Sequence, residues 1–279
     1  MDLKGKTVVL TGASGGIGSA LCMALVAAGA TVMAVGRSAA RLAVLAGTQP
    51  QGRVIVVAAD LSTAAGRAHL LEMARAQQPK PAVLVLGHAR SAFGLFEEQS
   101  AVELEAVMQA NLVAPMLLVQ DFLPLLSAQP EASVVAVGST FGSIGFAGFA
   151  GYSASKFGLR GLFEALAREH ADGSVRFQYL SPRATRTAFN TAAVDALNAE
   201  LRTSSDTPEA VAAQLVQAIV QGDTRRQLGW PEKFFARLNG AFPALVDRSL
   251  RAQLPTIRRH ARGQAHSPIQ EPAHEPSSP

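Results

Sequence analysis

Tyr152 and Lys156 form the most informative pair in the sequence, because they stand four residues apart in the segment Tyr-Ser-Ala-Ser-Lys. On a helix, side chains at this spacing lie on the same face, one turn apart. A nearby ammonium stabilises a phenolate, so it should lower the pKa of the tyrosine from about 10 toward neutral pH. The pair could then act as a general acid/base that protonates an alkoxide or deprotonates an alcohol.

A glycine-rich turn near the N-terminus indicates a site for a dinucleotide. Residues 6–10 form a short β-branched and apolar run, which is typical of a buried strand. Gly12, Gly16 and Gly18 follow in a G-x-x-x-G-x-G spacing, and then comes a helical run, residues 19–29, that ends in glycine. Glycines let the backbone approach a diphosphate, whose charge is stabilised at a helix N-terminus.

Ser139 and Asn111 are two further polar residues whose positions could serve catalysis. Ser139 follows the apolar run 133–138, and the carboxyl end of a parallel strand is where open α/β sheets bind ligands. Its hydroxyl could polarise a substrate carbonyl, although an isolated serine is more often a turn or cap residue. Asn111 interrupts the helical run 104–118, where asparagine is a poor helix former. We expect a local kink there, or a buried water held for proton relay.

With these motifs in place, the sequence resembles the short-chain dehydrogenase/reductase family in its small single-domain form, over roughly residues 3–225. The resemblance implies an α/β, three-layer, doubly wound Rossmann fold. It implies that Tyr152 is the acid/base and that Ser139 orients the substrate oxygen. It also implies that Lys156 holds the nicotinamide ribose and lowers the tyrosine pKa, and that Asn111 holds a relay water.

The resemblance, together with the charge pattern described next, also implies a set of cofactor contacts. Asp60 and Leu61 correspond to the adenine contact, and Pro182 with Thr187 to the segment that holds the nicotinamide carboxamide. No metal is expected, because the histidines are scattered without ligand spacing. The expected cofactor-binding residues are Gly12, Ser14, Gly15, Gly16, Ile17, Gly18, Arg37, Ser38, Asp60, Leu61, Asn111, Tyr152, Lys156, Pro182 and Thr187.

The charge after the second predicted strand favours NADP(H) over NAD(H). An acidic residue at the end of this strand would bind the adenosine ribose hydroxyls of NAD, but the sequence there has Gly36, Arg37 and Ser38. Without a carboxylate nothing repels a 2′-phosphate, and Arg37 offers it a charge-assisted partner. Ser14 and Ser38 could add hydroxyl donors. The alternative is that Arg37 is solvated and that selectivity is weak.

Two segments depart from the pattern of the family. Leu86-Gly87-His88-Ala89 stands where the family usually has Asn-Asn-Ala-Gly. That segment steadies the central sheet and lines the ribose side of the cofactor, so the replacement bears on cofactor affinity and rigidity without removing a catalytic group. Arg183 stands where the family usually has glycine after the proline. It could approach the nicotinamide phosphate or the substrate mouth, or it could face solvent.

Composition and apolar patterning indicate a globular α/β domain. The chain has 279 residues of which 48% are hydrophobic, enough to bury a large core. The lone Cys22 is expected to be a small buried hydrophobe, which suits a reducing cytoplasm. No apolar stretch is expected to be long enough to span a membrane. Parallel strands covered on both faces are predicted at residues 8–10, 32–35, 54–58, 83–86, 134–137 and 176–180, with a short seventh near 227–229.

The C-terminal part differs from the rest in charge. We expect a Rossmann domain over residues 1–225, a basic amphipathic extension over 226–262 and a disordered tail over 263–279. Residues 225–262 carry nine Lys and Arg against two acidic residues, while Trp230, Phe234, Leu238 and Phe242 recur every four residues. This stripe could contact a membrane surface, close the substrate pocket, form a subunit interface or pack on the domain. Nucleic acid is not expected, because no stacking platform accompanies the charge.

The residues after Ser139 give the only view of the substrate. Residues 140–149 form an apolar, phenylalanine-rich loop, which favours an apolar or acyl-chain substrate. We therefore predict that the protein uses NADPH to reduce a ketone on such a substrate to the alcohol. We expect it to be a cytoplasmic homodimer or homotetramer, and to contact a membrane peripherally if the extension binds lipid. The alternatives are an alcohol dehydrogenase working in the oxidative direction, and a non-catalytic dinucleotide-binding sensor on the same fold. Segment 86–89 is the only support for the sensor.

Overall fold

Runs of valine, isoleucine and leucine build a parallel β-sheet at the centre of the protein. The computed structural model describes residues 1–264, and its seven strands lie in the order β3-β2-β1-β4-β5-β6-β7. The order reverses between β1 and β4, and such a switch point opens a crevice at the carboxyl ends of the strands. The strands are β1 Thr7–Thr11, β2 Thr31–Gly36, β3 Val54–Ala58, β4 Pro81–Leu86, β5 Ala132–Val137, β6 Val175–Ser181 and β7 Arg225–Gln227.

Helices cover both faces of the sheet, which confirms the three-layer, doubly wound prediction. Side chains alternate along each strand, so Val8 and Leu10 face one helical layer and Val9 faces the other. Cys22 is buried in the first layer, as expected. The first layer is formed by α1 Gly16–Ala27, α2 Ala39–Gly47 and α8 Pro208–Gln221, and the second by α3 Ala64–Ala76, α5 Ala114–Ser127 and α6 Ala150–Glu169.

A long helical stretch, Ala101–Ser127, joins α4 (Ala101–Met108) to α5 through a π-helical turn at Gln109–Val113. By length and composition this stretch could cross a membrane, so the expectation that no stretch reaches that length is wrong. Leu118 and Phe122 on it are fully buried in the second helical layer, so core packing accounts for its apolar composition. The π-turn contains Asn111, where a kink was predicted.

The chain after α8 adds strand β7 at the sheet edge and three helices. Strand β7 spans the predicted boundary between residues 225 and 226 and begins two residues before the predicted seventh strand. The helices are α9 Glu232–Ala241, α10 Pro243–Arg251 and α11 Leu254–Gln264, and α11 packs against α7 (Ala192–Glu200). Gly263 and Gln264 belong to α11, so the predicted disordered tail is wrong for these two residues; 265–279 lie outside the described residues.

Candidate active site

A cavity of about 880 Å³ lies along the carboxyl ends of the strands. One end is bordered by Arg37 and Asp60, and the other by Phe189 and Leu197. Of the predicted cofactor-binding residues, those that line this cavity are Gly12, Ser14, Gly15, Gly16, Ile17, Gly18, Arg37, Asp60, Leu61, Tyr152, Lys156, Pro182 and Thr187. Ser38 and Asn111 are the two predicted contacts that do not line it.

The backbone of the glycine-rich turn lies so close to neighbouring atoms that side chains would not fit at its glycines. Gly12 has a φ of +69°, and a Cβ there would lie 2.7 Å from the backbone of His88. A Cβ on Gly18 would lie 2.0 Å from the carbonyl oxygen of Gly12, and one on Gly16 would meet Thr187 at 2.5 Å. No side chain caps the start of α1 at Gly15, so its first N–H groups are available to an anion. The turn therefore fits the diphosphate of a dinucleotide.

Two arginines stand at the end of the cavity that lies beyond β2. Arg37 is exposed and borders the cavity beside Asp60. Arg41 also lines it and donates from Nη2 to the carbonyl oxygen of Ser14 at 2.7 Å, which ties α2 to the glycine-rich turn. Sequence reasoning missed Arg41, whose only signal is a cation one turn into the helix after Arg37. The Ser38 hydroxyl accepts from the Arg41 backbone N–H as the cap of α2 and does not line the cavity, so its contact with the cofactor stays a prediction.

Ser139, Tyr152 and Lys156 meet on the wall of the cavity, as the spacing predicts. Ser139 follows β5, and its hydroxyl lies close enough to the phenol of Tyr152 to oppose the rise of the tyrosine pKa. Nζ of Lys156 lies 5.8 Å from the centroid of the Tyr152 ring and donates to the carbonyl oxygen of Val137 at 3.2 Å. Tyr152 and Lys156 are 8% and 2% exposed. The three groups could thus polarise a carbonyl oxygen, transfer a proton to it and stabilise the resulting phenolate.

The pKa of Tyr152 is raised by burial, whereas the sequence predicted that it would be lowered. Loss of solvation raises the pKa of Tyr152 to about 12, against which the Ser139 hydroxyl has a smaller effect. The same loss of solvation lowers the pKa of Lys156 to about 8. At neutral pH the phenol is therefore protonated, and the expected lowering of its pKa by Lys156 is not seen. A protonated phenol next to an ammonium is suited to donate a proton rather than to accept one.

Asn111 holds the loop after β4 and does not reach the cavity. Its Oδ1 accepts from the Arg90 backbone N–H at 2.7 Å, and its Nδ2 donates to the Arg90 carbonyl at 2.9 Å and to the Ser155 hydroxyl at 3.0 Å. The side chain is fully buried, and both of its polar atoms are engaged by protein groups. The side chain does not line the cavity, and the expectation that Asn111 holds a relay water or contacts the cofactor stays a prediction. Asn111 positions α6 relative to this loop.

The unusual segment after β4 is connected to the glycine-rich turn through Thr11. The Thr11 hydroxyl accepts from the Gly87 N–H at 3.0 Å and lies 2.7 Å from Nδ1 of His88. Nε2 of His88 is buried and has no hydrogen-bond partner, and His88 is one of the residues that line the cavity. Burial, together with the charge of Lys156, lowers the pKa of His88 to about 4. His88 is therefore a neutral imidazole on the cavity wall.

Arg183 is paired with two carboxylates. It makes two hydrogen bonds to Asp206, at 2.9 and 2.7 Å, and a third to Glu232 at 3.4 Å. The two carboxylates hold the pKa of Arg183 above its usual range, the hydrogen bond to Asp206 being the largest cause. This ion cluster ties the loop after β6 to the start of α9, so the alternative of a solvent-facing side chain is wrong. Arg183 also lines the cavity, and its approach to the nicotinamide phosphate or the substrate mouth stays a prediction.

Aromatic and aliphatic side chains enclose the other end of the cavity around Tyr152. The rings of Phe141, Phe149 and Phe189 have their centroids 6.2–6.4 Å from that of Tyr152. Ile257 of α11 packs into the same buried cluster. The Phe-rich loop was predicted to lie here, but Phe189 and Ile257 were missed because no local pattern shows that distant segments converge.

No group of three or more His, Cys, Asp or Glu side chains within residues 1–264 is arranged to hold a metal ion. The cavity instead combines a glycine-rich turn at a helix N-terminus, two arginines and a serine, tyrosine and lysine cluster. Such a combination fits a nucleotide cofactor at one end and a substrate with an oxygen function at the other.

Comparisons with known proteins agree with this architecture. Ketoacyl reductase HetN from Nostoc sp. is 30% identical over 220 residues, which cover 78% of this chain and 76% of that protein. A crystal structure of a short-chain dehydrogenase from Streptomyces avermitilis is 28% identical, with a TM-score of 0.75 over 93% of this chain and 99% of that chain. A candidate NAD(P)-dependent gluconate 5-dehydrogenase from Beutenbergia cavernae, with NADP bound at low occupancy, is 30% identical, with a TM-score of 0.71 and coverage of 81% and 95%. The family profile described as short chain dehydrogenase matches residues 6–198, so the chain belongs to this family of oxidoreductases.

Proposed function

We propose that the protein is an NADP(H)-dependent reductase that converts a ketone on an apolar or acyl-chain substrate to the alcohol. The observation that carries the proposal is that Ser139, Tyr152 and Lys156 line one cavity. They lie between the glycine-rich turn, which fits a diphosphate, and the aromatic side chains around Tyr152, which form the substrate chamber. The similarity to a ketoacyl reductase supports an acyl-chain ketone. When bound, the nicotinamide supplies the hydride for the carbonyl carbon.

The residues of the chain supply the proton and the orientation. The Ser139 hydroxyl donates to the carbonyl oxygen and fixes its place beside Tyr152. Tyr152 then passes its phenolic proton to the developing alkoxide, a role for which a pKa of about 12 leaves it fully protonated at neutral pH. The Lys156 ammonium stabilises the phenolate that remains. A phenol that is protonated at neutral pH is suited to the reductive direction, in which it donates its proton.

The end of the cavity beyond β2 supports NADP(H) rather than NAD(H). Gly36 ends β2 without a carboxylate, and Arg37 and Arg41 border the cavity there. A 2′-phosphate would meet two guanidinium groups in place of an acidic side chain, and phosphate is the partner that arginine binds best. Arg41 would act while still bonded to Ser14, because a guanidinium has five donors.

The test is NADPH consumption across 3-oxoacyl thioesters, steroids, quinones and aromatic ketones, with Tyr152→Phe as the catalytic variant. We expect at least one class to be reduced, and we expect the variant to lose at least about 100-fold in kcat, because a general acid contributes 10²–10⁴-fold. Cofactor titration runs alongside it. Binding without turnover of any substrate would favour a non-catalytic sensor, and faster turnover of alcohols than ketones at neutral pH would favour the oxidative direction.

The exposed face of the C-terminal extension supports a second proposal, that the protein binds peripherally to an anionic membrane. Trp230, Phe242 and Leu245 are 70%, 61% and 59% exposed, and residues 225–262 have a net charge of +7. Aromatic residues with flanking cations bind the interface of anionic bilayers. Co-sedimentation with vesicles that contain phosphatidylserine should capture the protein, whereas neutral phosphatidylcholine vesicles should not; equal absence from both pellets would contradict the proposal.

The homodimer or homotetramer predicted from the family resemblance also stays a proposal. Its measurement is the solution mass by light scattering, for which a monomer mass would contradict it. The cytoplasmic location is likewise a proposal, consistent with the single buried thiol of Cys22.

A further inference from the structure

His88 carries a buried polar atom that the fold leaves without a partner. Its Nδ1 lies 2.7 Å from the Thr11 hydroxyl, which fixes the ring against the end of β1. Its Nε2 is buried and has no hydrogen bond. Buried polar atoms in proteins are nearly always hydrogen-bonded, because an unpaired one destabilises the fold. The atom is therefore either a cost of the fold or half of a contact with a ligand.

The location of Nε2 points to a ligand. Within residues 1–264 the other buried side-chain atoms without a partner belong to Gln99, Ser133 and Gln178. None of these three residues borders the large cavity, whereas His88 does. The orphan atom thus belongs to a side chain of the cavity lining, beside the space that a bound molecule would fill.

The neighbours of His88 indicate which part of the ligand it would meet. On one side its backbone lies against Gly12, the first glycine of the turn that fits a diphosphate. On the other side it is close enough to Lys156 for the ammonium to affect its pKa. A ligand atom between these two groups lies between the diphosphate and the reacting centre. In a nicotinamide dinucleotide, that part is the ribose attached to the nicotinamide.

The protonation state of the ring suits a hydroxyl. Since its pKa is about 4, the imidazole is neutral at physiological pH, and one nitrogen is a donor while the other is an acceptor. If Thr11 donates to Nδ1, then Nε2 carries the proton; if Thr11 donates to the Val85 carbonyl, 3.2 Å away, then Nδ1 carries it. A ribose hydroxyl can accept in the first case and donate in the second. A phosphate oxygen could only accept.

We propose that Nε2 of His88 hydrogen-bonds a hydroxyl of the nicotinamide-side ribose of NADP(H), so that His88 is a cofactor-binding residue. The inference rests on the proposed function for the identity of the cofactor. The family pattern has alanine at this position, whose side chain could make no such bond. Segment 86–89 lacks the two asparagines of the family pattern, which would lower cofactor affinity. The hydrogen bond from His88 would compensate for part of that loss.

The experiment compares two ligands on the whole protein by isothermal titration calorimetry. NADPH contains the nicotinamide-side ribose, and adenosine 2′,5′-bisphosphate lacks it. We expect His88→Ala to raise the Kd of NADPH about 5- to 20-fold, the effect of one hydrogen bond, and to change the Kd of the bisphosphate less than twofold. His69→Ala is the matched control, because His69 is exposed on α3 and does not border the cavity; it should change neither Kd.

A second variant separates the contact from a structural role. His88→Phe keeps a ring in place of the imidazole and removes both nitrogens, so it should reproduce the selective loss even if His88→Ala does not fold. An unchanged Kd for NADPH in a folded variant overturns the inference and leaves the proposed function intact. Equal weakening of both ligands also overturns it, because the ring would then only shape the turn through Thr11. Failure of the wild-type protein to bind NADPH at all would overturn the proposed cofactor itself.

Discussion

At the scale of single residues, burial decides the state of the site more than charge does. Tyr152 and Lys156 stand one helical turn apart, and a model based on charge alone predicts a lowered tyrosine pKa. In the folded chain both side chains are almost inaccessible to solvent, which favours their neutral forms. Burial therefore raises the pKa of the phenol and lowers the pKa of the ammonium. The spacing thus shows which groups meet, but the degree of burial depends on the whole fold and had to be observed.

The buried imidazole of His88 makes a prediction for stability against pH. Its pKa falls from 6.5 in the unfolded chain to about 4 in the folded one, so between these values the unfolded state binds a proton that the folded state does not. The free energy of unfolding should therefore fall as pH drops below 6.5, by up to about 1.4 kcal/mol per pH unit from this group. Lys156 is the cation that adds to the effect.

Urea unfolding at pH 7, 6 and 5 measures this dependence. His88→Phe should lose the part of the pH slope that His88 contributes. Carboxylates with lowered pKa, such as Asp60 and Glu164, are present in both proteins and cancel in the comparison. Identical slopes in wild type and His88→Phe would show that the imidazole binds protons equally in the folded and unfolded states.

Arg37 makes a prediction for cofactor choice. If its guanidinium binds the 2′-phosphate, Arg37→Ala should raise the Kd of NADPH about tenfold, the loss of a charge-assisted hydrogen bond, and leave the Kd of NADH unchanged. Arg41→Ala should weaken both, since Arg41 also holds the glycine-rich turn at Ser14. Fluorescence titration gives the four constants. Arg53→Ala, at a site away from the cavity, is the control, and equal effects of Arg37→Ala on both cofactors would contradict phosphate recognition.

At the scale of elements, most of the helices and strands could be predicted from local sequence. The strands and the glycine-rich turn follow from β-branched runs and glycine spacing, which are properties of neighbouring residues. Strand β7 was placed two residues late, because Arg225 and Arg226 give no apolar signal and pair only through β6. Asn111 was identified as unusual, but its partner Arg90 is 21 residues away. Contacts of this kind come from the fold and not from a local pattern.

The start of α1 gives a prediction for the turn that positions the site. In Gly18→Ala the new methyl would meet the Gly12 carbonyl, which is part of the backbone and cannot move aside. We expect a loss of more than about 2 kcal/mol in the free energy of unfolding, as for other overpacked or strained sites, together with weaker cofactor binding. Gly161→Ala is the matched control, because its position in α6 has open space; it should stabilise the protein by up to about 1 kcal/mol. Denaturant unfolding compares the two, and equal stability would disprove the close approach.

At the scale of the whole molecule, the chamber around Tyr152 is assembled from segments that are far apart in sequence. Phe149 precedes α6, Leu197 lies on α7 and Ile257 lies on α11, and the three share one buried cluster with Tyr152. Glu200 at the end of α7 accepts hydrogen bonds from Thr256, Arg259 and His260 of α11. Of the roles considered for the C-terminal extension, packing on the domain therefore fits α11, whose residues do not border the cavity, while the exposed aromatic residues of α9 and α10 are left for another contact.

Ile257→Ala tests whether α11 supports the substrate chamber. The side chain is 1% exposed, and its removal should cost about 2–4 kcal/mol of stability. If α11 supports the chamber, KM for the best apolar ketone should also rise several-fold, because the cluster that holds Phe149 in place is loosened, while the Kd of NADPH stays unchanged at the other end of the cavity. Val246→Ala is the control, since Val246 is 4% exposed on α10 but outside this cluster. Steady-state kinetics separates the two variants: a rise in KM for both, or for neither, would mean that α11 stabilises the fold without shaping the chamber.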